Sequence, residues 1–206
     1  MGGRKELWEK IYSEKKPNEV SWFQTSPEKS LELVKLAGTS KDGYVIDVGG
    51  GASVLVDRLL DGGFEDITVL DISSAALEYA KNRLGEMAKQ VKWVVADVTQ
   101  FHPTEKYDLW HDRAVFHFLT EIPDRKKYAD IVNRAVKPGG YLILASFATD
   151  GPDKCSNLNV RQYDATLVHE EFGNGFEQVN EFNEIHKTPW GKDQKFKYFL
   201  LKKIGD

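Results

Sequence analysis

Three consecutive glycines, Gly49, Gly50 and Gly51, follow the apolar run Tyr44 to Val48. Glycine permits a tight turn and lets a ligand approach the main chain, and a helix starting there offers free N–H groups. Asp71 stands twenty positions beyond Gly51, at the end of a second apolar run. A carboxylate at that place accepts hydrogen bonds from both hydroxyls of a ribose. Asp97 ends a third run, on the same expected sheet edge, where it meets an adenine amino group. Asp47 lies inside the first run. An ionisable group buried there needs a partner; it either contacts the glycine-loop amides or orders a ligand. The dinucleotide fingerprint G-x-G-x-x-G/A requires Gly or Ala where this chain has Val54. A pyrophosphate site is thereby weakened, while an adenosine site, which depends on Asp71 and Asp97, survives.

A second group, His111, Asp112, Arg113 and His117, is expected just after the fourth strand. In an open α/β sheet that end of the strands forms the ligand crevice. His111 or His117 is a candidate general base, and Arg113 either holds an acidic substrate or orders the loop through Asp112. The plainer alternative is a local Asp112–Arg113 ion pair, with His117 packed on a helix face beside Phe116 and Phe118. His186, near Trp190, reads as a turn-packing residue. Cys155 reads as a small apolar residue. The histidines lack a metal-ligand spacing, so no metal is expected.

The elements that must position these groups alternate. Strands are expected at Tyr44–Val48, Ile67–Asp71, Val91–Ala96, Tyr107–His111 and Tyr141–Phe147. Helices are expected from Ala52 to Leu60, from a Ser73 or Ser74 cap to about Leu84, and from Arg125 to Val136, the last stopped by Pro138-Gly139-Gly140. Phe176–His186 and Gln194–Lys203 are strand-like, and the gap between them is too short for a helix. They should pair antiparallel. The fold class is therefore α/β: a doubly wound, mostly parallel seven-stranded sheet with a C-terminal antiparallel hairpin and helices on both faces.

At 206 residues the chain suits one domain. Residues 1–40 form an N-terminal helical cap and 148–175 an insertion, and neither is needed for the parallel sheet. The net charge of −4 argues against a nucleic-acid partner. The lone cysteine suits a reducing compartment. The first residues lack an apolar signal core, and the apolar run from Tyr141 to Ala148 is too short for a bilayer, so a cytoplasmic setting without membrane partners is expected.

In this order the motifs resemble those of the class I S-adenosylmethionine-dependent methyltransferases. Val45 to Gly51 is similar to that superfamily's first motif, Leu70 to Ser73 to its ribose motif, and Ala96 to Val98 to its adenine motif. Val136 to Gly140 is similar to the segment before its fifth strand, and the terminal hairpin to its reversed seventh strand. The resemblance spans residues 40–203. It implies that Gly49 and Gly51 face the methionine part of the cofactor. Asp71 would bind the ribose, Ile72 would pack on the adenine, and Asp97 and Val98 would fix its edge. His111 and Arg113 would line the methyl-transfer site, and Trp22 would cover the cofactor. The implied cofactor is S-adenosyl-L-methionine, with S-adenosyl-L-homocysteine as product. His111-Asp112-Arg113-Ala114 stands where nucleic-acid amino methyltransferases carry Asn/Asp-Pro-Pro-aromatic, which argues against a flipped base. The acceptor is then a small molecule or a protein side chain. The region from Trp8 to Phe23 is similar to N-terminal segments of some protein-lysine methyltransferases. A non-catalytic adenosine-binding module and an NAD-dependent dehydrogenase remain as alternatives from other classes.

Overall fold

The computed structural model describes residues 2–205. The first half runs α1 (Gly2–Glu14), α2 (Glu28–Ala37), β1 (Val45–Val48), α3 (Leu55–Asp61), β2 (Ile67–Asp71), α4 (Ser74–Leu84), β3 (Val91–Val95) and β4 (Tyr107–Arg113). The second half runs α5 (Ile122–Ala135), β5 (Val136–Phe147), a small hairpin of β6 (Lys154–Cys155) and β7 (Leu158–Asn159), α6 (Ala165–Phe172), β8 (Phe176–Lys187) and β9 (Asp193–Lys203).

Seven strands form one sheet in the order β3-β2-β1-β4-β5-β9-β8. The first five are parallel; β9 runs antiparallel to both β5 and β8. Every residue of β1 and β2 is buried, as expected for central strands covered by helices on both faces. Alternate residues feed two core layers. Ile46, Val48 and Trp110 point to one side, with Phe116 and Tyr128, while Val45 and Leu109 point to the other, with Leu33, Leu55 and Phe196. Strand order reverses between β1 and β4, so the crevice for a ligand opens at their carboxyl ends.

Several boundaries differ from expectation. The helix expected from Ala52 starts at Leu55, because the turn continues through Ser53: its N–H donates to Gly50 O, and its hydroxyl accepts from the Leu55 N–H. Strand β4 runs on to Arg113, so His111, Asp112 and Arg113 lie inside the strand rather than past it. Pairing with β1 on one side and β5 on the other extends it. Residues 136–140 belong to β5 instead of stopping the helix. Helix α6, inside the 148–175 stretch, was not expected. Asp164 caps it by accepting from the Leu167 N–H, and Val168 and Phe172 are buried.

Candidate active site

Asp71 closes β2, Asp97 follows β3, Arg113 closes β4, and the glycine turn follows β1, all on one edge of the sheet. Gly49 has φ 69°, and a Cβ there would run into Val115. A Cβ on Gly51 would meet the Asp71 carboxylate and Ala76. Only glycine fits both places. The Gly51 N–H donates to Asp71 Oδ2 at 3.1 Å and the Ser73 N–H to Oδ1 at 2.9 Å. Burial pushes the Asp71 carboxyl up to about 6, against these hydrogen bonds. A carboxylate has about four acceptor directions, so capacity remains for a further hydroxyl donor.

Two adjoining cavities open here. The first is lined by Asp71, Ile72, Asp97 and Val98, the second by Asp47, Gly50 and His111. Trp22, Gly49 and Arg113 line both. Gly51 lies behind them, outside the lining.

A roof comes from α1. Trp8 and Tyr12 line the first cavity, and Trp8 packs edge-on against Trp22 and Phe118. The Trp22 indole N–H donates to the Tyr12 hydroxyl at 3.1 Å. Glu9 accepts from the Ser74 and Ala75 N–H groups and from the Ser73 and Ser74 hydroxyls, so it caps α4 from outside. Arg4 reaches Asp124 at 2.9 Å and Asp97 at 3.4 Å. Nothing local in the sequence marks Arg4 or Glu9, since their partners are 64 or more positions away.

Arg113 is held by the Tyr198 hydroxyl, by Trp22 O and by Glu184. The local Asp112–Arg113 pair is therefore replaced by longer-range contacts. Asp112 instead accepts from the Tyr128 hydroxyl at 2.5 Å and from the Val115 and Phe116 N–H groups. This pins the turn at Ala114, whose φ is 68°, and seats Val115 over Gly49.

His111 is buried between two partners, Asp47 and Ser30, one on each ring nitrogen. His117 lies in a 3-10 turn rather than on a helix face, outside the lining of both cavities, between Phe118 and Phe147. Burial, then Arg113, pushes it down to about 3. His117 thus lies outside both cavities, and His111 lines the second with both ring nitrogens already engaged. His186 donates its Nε2–H to Ser21 O at 2.7 Å; its pKa is lowered by burial and Arg113. Cys155 lines the first cavity beside Ser21, and burial raises its thiol. Among the described residues no three His, Cys, Asp or Glu side chains gather as a metal site, and no helix is long and apolar enough to cross a membrane.

A family model described as a methyltransferase domain matches residues 45–140. Malonyl-[acyl-carrier protein] O-methyltransferase 2 of Ilyobacter polytropus is 26% identical over 52% of this chain and 40% of its own length. A second such enzyme from the same organism is covered to 53%, so the chain spans about half the length of these curated relatives. EEF1A lysine methyltransferase 2 of Danio rerio is 26% identical over 70% of this chain and 68% of its own. The structure of the N-methyltransferase NodS from Bradyrhizobium japonicum with S-adenosyl-l-homocysteine shares the fold, with a TM-score of 0.72, 18% identity, and coverage of 95% of this chain and 97% of that one. The strand order and the antiparallel terminal hairpin, with the domain match over residues 45–140, make this chain similar to the class I S-adenosylmethionine-dependent methyltransferases.

Proposed function

We propose that this chain transfers a methyl group from S-adenosyl-L-methionine, held across the two cavities, to a small molecule or a protein side chain. One observation carries the reading. The cavity joining Gly49 to Asp71, Ile72, Asp97 and Val98 presents a buried acid, an apolar platform and a second acid in the order an adenosine needs. The residues fit the cofactor: Asp71 keeps acceptor capacity for the ribose, and one Asp47 oxygen is buried without a donor among the described residues.

The cofactor supplies a methyl group already activated by its positive sulfur, so the protein's share is binding, alignment and exclusion of water. Asp71 takes the ribose hydroxyls. Asp97 takes the adenine amino group, its Oδ1 being used by Thr99 and its Oδ2 already meeting Arg4 at 3.4 Å. Ile72 would pack on the ring, and Val98 would help fix its edge. Gly49, with Gly51 behind it, and Asp47 serve the amino-acid end. Trp22 and Arg113, at the junction of the cavities, meet the acceptor. His111 acts by holding Asp47. We assign no proton transfer to His117, whose ring is enclosed by aromatic neighbours.

The N-terminal segment and the 148–175 stretch select the acceptor within one catalytic unit. Trp8, Tyr12 and Trp22 from the first, and Cys155 from the second, line the first cavity. The names of the relatives put both a carrier-bound malonyl group and a lysine among acceptors of this superfamily.

The test is ligand-induced stabilisation. S-adenosyl-L-homocysteine should raise the melting temperature by mass action and NAD should not; a larger shift with NAD would favour a dehydrogenase. Radiolabelled methyl transfer into cell extract, split into protein and small-molecule fractions, then sorts the acceptor. Binding with label in neither fraction would point to a non-catalytic adenosine-binding module.

A further inference from the structure

Ser30 on α2 and His111 on β4 are 81 positions apart, yet the Ser30 hydroxyl oxygen is 2.8 Å from His111 Nε2. On the other side of the ring, Nδ1 is 2.7 Å from Asp47 Oδ1. The register of β1 against β4 sets His111 directly beside Asp47. Ser30, His111 and Asp47 are buried, at 0%, 3% and 1% exposure. A carboxylate oxygen accepts, so Nδ1 carries the hydrogen, and in the neutral ring Nε2 is then the acceptor for the Ser30 hydroxyl. The chain of hydrogen bonds thus has one direction, from α2 through β4 to β1.

It ends on a carboxylate that is only half satisfied. Asp47 Oδ2 has no hydrogen-bond partner among the described residues. It lies against the glycine turn, where a Cβ on Gly50 would collide with it. A buried carboxylate oxygen without a donor is costly. Ser30, His111 and Asp47 all line the second cavity, next to Gly49 and Gly50.

We propose that Ser30 and His111 are positioning residues that hold Asp47 with Oδ2 presented to the primary ammonium at the amino-acid end of the cofactor. The inference rests on the cofactor reading above and adds α2 to the cofactor site through a single hydroxyl. Ser30, His111 and Asp47 follow the same order as a nucleophilic Ser-His-Asp relay. The Ser30 hydroxyl, however, sits within a helix at 0% exposure and faces the ring rather than an open acyl site.

The test compares dissociation constants for S-adenosyl-L-homocysteine and 5′-methylthioadenosine, which keeps the adenosine and the thioether but lacks the amino-acid end. Ser30→Ala should weaken the first about five- to tenfold, the worth of one buried hydrogen bond, and change the second less than about twofold. Ser30→Thr retains the hydroxyl and should keep the wild-type ratio, which separates loss of the bond from damage to α2. His111→Asn keeps an N–H toward Asp47 and loses the Ser30 bond, so it should match Ser30→Ala, and the double variant should be no worse than either. Equal weakening of both ligands by Ser30→Ala, or no change in either, overturns the proposal, as does labelling of Ser30 by a fluorophosphonate. If the wild-type protein binds neither ligand, the cofactor reading itself fails; if it binds both and the ratio ignores Ser30, only this inference fails.

Discussion

Asp71 on the sheet and Glu9 on the roof helix are both acids at the edge of the same site, and their surroundings drive them in opposite directions. Burial raises Asp71 to about 6, although the main chain donates to it from Ser73 and Gly51. Burial would raise Glu9 as well, but hydrogen bonds from Ser74, Ala75 and Ser73 outweigh it and hold Glu9 at about 2. Asp71 is desolvated, and its donors do not offset that burial. Glu9 is saturated at a helix N-terminus, where four donors meet one carboxylate. The floor acid is therefore a buried acceptor, and the roof acid is a helix cap. Main-chain register holds the floor, whereas contacts reached by the side chains of α1 hold the roof.

The largest effect is expected on the floor. Asp71→Ala should weaken S-adenosyl-L-homocysteine by about 100-fold or more, since hydrogen bonds to a charged acceptor are each worth roughly 1.5–3 kcal/mol. Loss of the thermal shift reads this directly, and retention would remove Asp71 from the ribose.

The next effect is on pH. On the proposed reading the ribose hydroxyls bind the Asp71 carboxylate, whose value in the folded chain is about 6. Affinity should rise as pH increases from 5 toward 7, change by up to about tenfold per unit below 6, and level off above. For folding the sign is opposite. An acid raised from 3.8 to about 6 holds its proton more tightly when folded. Its contribution to stability therefore falls as pH rises between those values, and the cost is full above 6. Titration calorimetry across this window, with Asp71→Asn showing a flat profile, sharpens the contrast.

The smallest effect belongs to the roof. Glu9→Ala should cost about 1 kcal/mol of folding stability in urea unfolding, as for loss of a helix cap, and change S-adenosyl-L-homocysteine affinity less than about threefold. An affinity loss as large as that of Asp71→Ala would erase the distinction between floor and roof.

Much of the floor was legible without coordinates. Gly49 to Gly51, Asp71 and Asp97 each sit at the end of an apolar run, and a parallel strand buried on both faces announces itself by such a run. The extension of β4 was not legible. Tyr107 to His111 reads as apolar, but Asp112 and Arg113 do not, and only the flanking strands β1 and β5 draw them into the sheet. The role of Asp112 was misread for the same reason, because its partner Tyr128 lies a helix away and not next door. His117 looked like a base because the sequence places it near Arg113. The fold puts it among Phe118 and Phe147 instead.

The sequence by itself determined the α/β class, the antiparallel ending, and the glycine turn with its two acids, because periodicity and strand ends are local properties of the chain. The tertiary structure decided which polar groups are satisfied. Arg4 to Asp97, Glu9 to Ser74 and Ser30 to His111 are contacts across 93, 65 and 81 positions. Such pairs carry no periodic signal. They form only when the burial of apolar faces has brought α1 and α2 onto the sheet edge, and the cost of unpaired polar groups then selects the partners.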